Sequence, residues 1–195
     1  EIRRMGEQAL FKKLAKDNTN LFKKSAIKRI ITISPHCFNA FKNEYPDLNI
    51  PVQHYTQVIP ELIEMGKLKL SKGLDIAVTY QDPCFLGKQN QVYEEPRKIL
   101  TSIPGLDFAE MERSRQRSLC CEGGGGRMWA EGGTEGTRNG AIRVREAVAL
   151  GAKVLATSCP FCLLTLEDAV KISGLTDQIA VKDISELVVE AMEIA

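Results

Sequence analysis

The sequence predicts an α/β fold: a mostly parallel sheet with flanking helices, built as two pseudo-repeats of which the first is incomplete. Three observations carry that prediction. Short β-branched runs alternate with segments of helical apolar spacing along the chain. One strand–turn–Pro–Cys–helix pattern occurs twice, 125 positions apart. Finally, 195 residues with 44% hydrophobic and 26% charged content suit one globular core rather than a disordered chain.

Along the chain, Leu10, Phe11, Leu14, Leu21 and Phe22 mark an amphipathic helix within residues 6–25. The run Lys28–Ile33 reads as a strand, and Ser34-Pro35-His36-Cys37 opens a helix through Phe38 and Phe41 that stops before Tyr45-Pro46. Val52–Tyr55 reads as a short strand and Gln57–Lys67 as a helix with Gly66 near its end. The clearest strand is Ile76–Tyr80, closed by Asp82-Pro83-Cys84. Glu94–Thr101 is a short helix before the Pro104-Gly105 turn. A loop carries Cys120, Cys121, Glu122 and the glycines Gly123 to Gly126. A helix is expected from about Thr134 to Leu150, capped by Gly151. Strand Val154–Thr157, a helix opening at Cys159-Pro160, strand Ile179–Val181 and helix Ile184–Met192 complete the order.

The repeat pairs Lys28 with Lys153, Thr32 with Thr157, Pro35 with Pro160, Cys37 with Cys162, Glu61 with Glu186 and Leu62 with Leu187. It divides the chain into residues 1–70, the tail of a first repeat, and residues 74–195, a complete second one. The chain opens on Glu1 without an initiator Met, so the head of the first repeat is expected upstream.

Charge and hydropathy exclude several classes. With 26 basic and 25 acidic residues the formal net charge is +1, and no charge block calls for nucleic acid. No apolar run approaches the roughly 18–20 residues of a membrane span, and Glu1-Ile2-Arg3-Arg4 is no signal peptide. Six cysteines without an export signal point to soft-ligand or redox chemistry in a reducing, cytoplasmic setting rather than to disulfides.

Five of them form a constellation. Cys84 is followed by 35 residues, the vicinal pair Cys120-Cys121, 37 residues, and Cys159-x-x-Cys162. Cys84 and Cys159 each follow a predicted strand, and ligands of open α/β sheets gather at the carboxyl ends of strands. Pro160 suits the first helical position, which puts Cys159 at a cap and Cys162 one turn on, where a helix N-terminus favours thiolate. Consecutive glycines bring backbone close to a bulky group and free N–H donors for sulfur. The rival phosphate loop lacks its Gly-Lys-Ser/Thr ending. Structural zinc is the main chemical alternative, but adjacent cysteines point apart too readily to chelate one tetrahedral ion.

Asp82-Pro83-Cys84, Cys120-Cys121-Glu122-Gly123-Gly124-Gly125-Gly126 and Ser158-Cys159-Pro160-Phe161-Cys162 resemble the cysteine-rich (CCG) domain. That domain is found in heterodisulfide reductase B and D subunits and in the glycolate oxidase iron–sulfur subunit. Pro35-His36-Cys37-Phe38-Asn39 and Gly126-Arg127-Met128-Trp129 bring the chain nearest the membrane-associated iron–sulfur oxidoreductases linked to electron-transfer flavoprotein. The resemblance implies a noncubane four-iron cluster held by Cys84, Cys120, Cys121, Cys159 and Cys162, with Gly123, Gly124 and Gly125 as backbone donors. It implies an iron–sulfur oxidoreductase component that takes electrons from a flavoprotein or flavin dehydrogenase subunit and passes them to a quinone or disulfide. Other subunits or an upstream membrane segment would hold it at the cytoplasmic face of a membrane. Catalytic disulfide reduction is the alternative within that chemistry, and a zinc-stabilised interaction domain the alternative outside it. Two departures stand out. Glu122 replaces the glycine of the family's Cys-Cys-Gly and brings a carboxylate near the cluster. Ser34 stands where the first repeat would carry a counterpart of Cys159, so Cys37 either completes a site with upstream residues or is a spare thiol.

Plainer roles are expected for other residues: surface or capping for His36 and His54, packing or a cluster cover for Trp129, and a solvated helix face for Arg143, Arg145 and Glu146. Lys67, Lys69 and Lys72 read as a solvated basic loop able to steer an acidic partner.

Overall fold

The structure is a computed structural model and describes residues 2–129 and 138–192. Helix α1 (Gln8–Lys24) leads into strand β1 (Ile30–Thr32), helix α2 (Pro35–Asn39), strand β2 (Val52–His54) and helix α3 (Tyr55–Glu64). Strand β3 (Ala77–Tyr80), the short helix α4 (Gly87–Asn90), helix α5 (Glu94–Ser102) and strand β4 (Asp107–Phe108) follow. Helix α6 (Asn139–Ala149), strand β5 (Val154–Thr157), helix α7 (Pro160–Ile172), strand β6 (Ala180–Asp183) and helix α8 (Ile184–Ala191) complete the order. All strand pairings within the two sheets are parallel. One sheet is β1–β2, and the other has the order β4–β3–β5–β6. The predicted α/β class, parallel strands with flanking helices, is the observed one, with the strands divided between two sheets.

Most expected elements lie where the pattern placed them, with differences of physical origin. The helix opened by Pro35 is regular only to Asn39 and passes into a π-helical turn, Ala40–Glu44, before Tyr45-Pro46 ends it. Strand β4 has two residues, too few to show an alternation, and escapes sequence reading. The first residues of the helix expected from Thr134, 134–137, lie outside the described residues; its described part starts at Asn139.

Strand β5 sits between two strands and between two helical layers, so all four of its residues are buried. Leu155 joins Val144, Ala147, Leu166 and Val170 on one face of the sheet. Val154 and Ala156 join Val78, Tyr80, Ile99, Leu100, Ile184 and Leu187 on the other. Cys121, Cys159 and Cys162 belong to the first of these apolar clusters, so the thiols are built into the core.

The early and late parts of the chain share one local plan. β1 pairs β2 with Thr32 opposite His54, and β5 pairs β6 with Thr157 opposite Asp183. α3 starts directly after His54 and α8 directly after Asp183. Each cap residue's N–H is received by the side chain three positions on, Gln57 at 3.1 Å and Glu186 at 2.8 Å. The 125-residue shift therefore relates β1 to β5, but a 129-residue shift relates His54 to Asp183. The sequence matches of Glu61 with Glu186 and Leu62 with Leu187 fall out of this register.

Candidate metal centre

In the larger sheet the chain runs from β3 outward to β4 and from β5 outward to β6, which makes the space beyond the ends of β3 and β5 a topological switch point. Both adjacent strands end there. The loop after β3 delivers Cys84, and the loop after β5 delivers Cys159 as the cap of α7, with Pro160 at its first position and Cys162 one turn on. The long connection after β4 returns to the same rim with Cys120 and Cys121. Three segments far apart in sequence thus bring their sulfurs together.

The five thiols form a row of contacts. Cys84 meets Cys120, Cys120 meets Cys121, Cys121 meets Cys162 at an Sγ–Sγ distance of 3.1 Å, and Cys162 meets Cys159. The ring of His36 hydrogen-bonds Cys159 at the far end. Cys120 is exposed and Cys84 half-buried, whereas Cys121, Cys159 and Cys162 are buried, so the row runs from solvent into the core. Two of the five sulfurs favour thiolate and three keep their protons. The Cys120 thiol is lowered to about 2, first by the thiols of Cys121 and Cys84 donating to it and also by the nearby Lys88. Cys159 is lowered to about 5, first by the Cys162 thiol and then by His36, against the effect of burial. The donors move the other way. Cys84 and Cys162 are raised above the ordinary thiol value, and Cys121 is pushed up to about 12, in each case first by the bond to a neighbouring cysteine.

The glycine loop packs tightly on this row. Glu122 donates its N–H to Cys120 Sγ at 3.3 Å, and Gly123 donates to Cys121 Sγ at 3.4 Å. A Cβ on Gly123 would lie 2.5 Å from Thr165 Oγ1 and 2.7 Å from the Phe161 carbonyl oxygen. At Gly124 it would lie 2.4 Å from His36 Cε1. Gly125 and Gly126 take left-handed backbone, φ +66° and +77°. Glu122 does so too at φ +66°, a conformation that strains a side-chain-bearing residue by about 1–2 kcal/mol. Its carboxylate compensates: it accepts from the Asn139 N–H at 3.1 Å, at the start of α6, and lies 3.7 Å from Arg127.

Buried polar side chains fix the loops behind the sulfurs. Arg97 donates two bonds to Asp82, at 2.8 and 2.9 Å, and also pairs with Glu110. Asp82 accepts a third bond from the Arg115 N–H at 2.7 Å. Gln81 donates to the Leu119 carbonyl at 2.8 Å, which ties the end of β3 to the residue before Cys120. Arg143 in turn donates to Gln81 at 2.7 Å and to the Arg113 carbonyl at 2.9 Å. Across the sheet, Tyr80 and Ser158 share a 2.7 Å bond.

Several expectations need correction. Arg143 does not lie on a solvated face: its side chain is 0% exposed, although Arg145 is exposed and Glu146 half-buried. Gly140, Arg143 and Ala147 fall on one face of α6, and that periodicity was the available signal. His54 caps α3 but is fully buried rather than at the surface. Trp129 is 71% exposed and meets the edge of Phe161 at 6.3 Å, so it is not packed inside. The expectation for Cys37 needs no correction: it is exposed and lies outside the row, on a neighbouring cleft of about 280 Å³ lined also by Ile2, Phe11, Ser34 and His36, a place open to a spare thiol or to upstream residues. Among the described residues, no three His, Cys, Asp or Glu side chains surround a single ion position.

Compared with known families, residues 1–42 and 78–167 match the family described as the cysteine-rich domain. The chain belongs to that family. This cysteine-rich domain is 43% identical over 192 residues to a probable iron–sulfur-binding oxidoreductase, FadF, of Bacillus subtilis, covering 97% of the chain and 27% of that protein. It is 37% identical over 199 residues to the EtfAB:quinone oxidoreductase of Syntrophomonas wolfei, covering 98% of the chain and 28% of the relative. One component of the dihydromethanophenazine:CoB–CoM heterodisulfide reductase of Methanosarcina barkeri is 36% identical over 186 residues, covering 93% of the chain and 45% of that component. The cysteine-rich domain therefore spans less than half the length of each of these relatives.

Proposed function

We propose that this cysteine-rich domain is the iron–sulfur electron-transfer part of an oxidoreductase, with Cys84, Cys120, Cys121, Cys159 and Cys162 holding a noncubane four-iron cluster. The observation that carries the reading is the row of five sulfurs, delivered by three loops to one switch point and sunk at one end into the core. The donor set suits that group. Thiolate is its ligand, two sites in the row already favour thiolate, and backbone N–H groups of Glu122 and Gly123 point at sulfur. A row of this length suits several irons better than the tetrahedral shell of one zinc ion. When bound, such a cluster supplies one-electron capacity that no side chain here possesses.

The chain's own residues do the rest. Gln81, Asp82, Arg97 and Arg143 tie the loops after β3 and β4 together, the Tyr80–Ser158 bond holds the loop after β5 against them, and the apolar layer of α6 and α7 packs around the buried sulfurs. Cys120 opens the site to a partner, with Lys88 beside it. The relatives' names support a flavoprotein or flavin dehydrogenase as donor and a quinone or a disulfide as acceptor. We also propose that the early and late parts of the chain, 1–70 and 74–195, are an incomplete and a complete copy of one repeat. Six free thiols suit a cytoplasmic setting. No helix among the described residues is long and apolar enough to cross a membrane, so attachment to a membrane face falls to other segments or subunits.

Anaerobic reconstitution with iron and sulfide tests the reading. The protein should turn brown, hold iron and acid-labile sulfide in equal amounts, and show a reducible paramagnetic signal that Cys121→Ser abolishes or alters. A colourless protein with a single zinc and no sulfide would refute it. The exposure of Cys120 favours a second reading, direct reduction of a disulfide at the site. Rapid reaction of the reduced protein with a heterodisulfide, leaving a thiolate-bound paramagnetic state, distinguishes that role from simple relay.

A further inference from the structure

The five clustered cysteines all lie after residue 80, yet the side chain that closes their buried end comes from the early part of the chain. His36 is the second residue of α2. Its ring centroid lies 4.2 Å from the Phe85 ring, next to Cys84, and 4.9 Å from the Phe161 ring, between Cys159 and Cys162. The glycine loop closes over the same ring: a Cβ on Gly124 would stand 2.4 Å from His36 Cε1 and 3.0 Å from Nε2. The ring also hydrogen-bonds the Cys159 side chain. His36 thus touches all three thiol-bearing segments and lies at the end of the row opposite the exposed Cys120.

Two physical consequences follow. Held between two aromatic rings and a glycine loop, the imidazole cannot swing away without opening the packing, so its bond to sulfur is preorganised. A hydrogen bond to a cysteine sulfur favours whichever redox state carries more negative charge, and reduction adds that charge.

We propose that His36 is a positioning residue of the metal centre: its ring fixes the Cys159 sulfur and, by donating to it, raises the reduction potential of the group the thiols hold. The proposal rests on the metal-centre reading above and assigns the early part of the chain a task at a site whose ligands it does not supply.

The test compares the wild-type chain, His36→Phe and His36→Gln after anaerobic reconstitution. Iron and sulfide are assayed first, and midpoint potentials are then read by redox titration of the paramagnetic signal. His36→Phe keeps the stacked ring and removes the donor. It should bind as much iron as the wild type while its reduction equilibrium falls about tenfold, a downward shift of 59 mV for one electron. His36→Gln restores an N–H donor and should recover part of that shift. An unmoved potential in His36→Phe overturns the proposal, and so does loss of iron in that variant, which would make the ring a ligand or a mere prop. A wild-type chain that takes up no iron and sulfide is a failure of the metal-centre reading instead. The contact is then judged in the metal-free protein, where only His36 and His54 contribute histidine ring nitrogen signals. Cys159→Ala should move the ring signals of His36 and leave those of His54 in place; unmoved His36 signals overturn the proposal without any metal.

Discussion

At His54 an imidazole is enclosed completely, 0% exposed, between Phe38 and Tyr55, with the Ile33 carbonyl at 3.3 Å from Nε2. Burial lowers its pKa from 6.5 to about 4, only partly opposed by that carbonyl. The unfolded chain then binds a proton that the folded one rejects, so stability is whole above pH 6.5 and is lost as pH falls toward 4. The loss from this group should reach about 2 kcal/mol at pH 5, and His54→Asn should flatten that part of the profile in urea unfolding of the metal-free chain. Asp82 and Arg97 make the opposite case, two charges kept buried because they meet in two parallel bonds, with side chains 2% and 6% exposed. Arg97→Leu should lower stability by about 3–5 kcal/mol in the same assay, because Asp82 is left charged and unpaired. Asp82→Asn should lower it less. Asp82 was visible in the sequence as part of Asp-Pro-Cys, but its partner on α5 was not. A buried arginine is chemically identical to a surface one until the fold supplies its carboxylate; for Arg143 the buried face of α6 was the one hint.

The elements show where pattern reading succeeds. Pro160 after Cys159 announced the start of α7 because proline's missing N–H costs nothing in the first turn of a helix, and the structure places it there. The convergence of the thiol loops was likewise legible, since strand ends in a parallel sheet share one rim. What the pattern could not supply was the different geometry of four identical letters in a row. Gly123 is closed in by backbone, Gly124 by the His36 ring, and Gly125 by nothing within 4 Å. Alanine scanning of the loop should therefore be graded. Gly123→Ala should lower stability by about 1–3 kcal/mol, because the Phe161 carbonyl cannot move aside. Gly125→Ala should lower it by about 1 kcal/mol, through its left-handed backbone alone. Chemical denaturation of the metal-free variants measures the order, and equal losses at the two positions would contradict the packing described.

Across the whole molecule, the two sheets do not merge, and the early part of the chain meets the late part through both side chain and backbone. Tyr55, at the start of α3, donates a 2.6 Å bond to Asp183, the cap of α8, and Leu70 forms an isolated antiparallel backbone bridge with Met192. Tyr55→Phe should lower stability by about 1.5 kcal/mol or more, since the acceptor is a carboxylate. A single unfolding transition by both circular dichroism and amide exchange is the expected companion result. The sequence matches pointed to the similar local plan of the two parts, but the register shifts between the strand and the following helix and no residue match could reveal that. Parallel strands also give the domain two unlike rims. The turns at Gly151 and Gly174 lead into the opposite, amino-terminal ends of β5 and β6, and a Cβ at either glycine would meet nothing within 4 Å. A fluorophore, affinity handle or surface tether spliced into those turns would leave the thiol-bearing rim, with the exposed Cys120, free for whatever docks there.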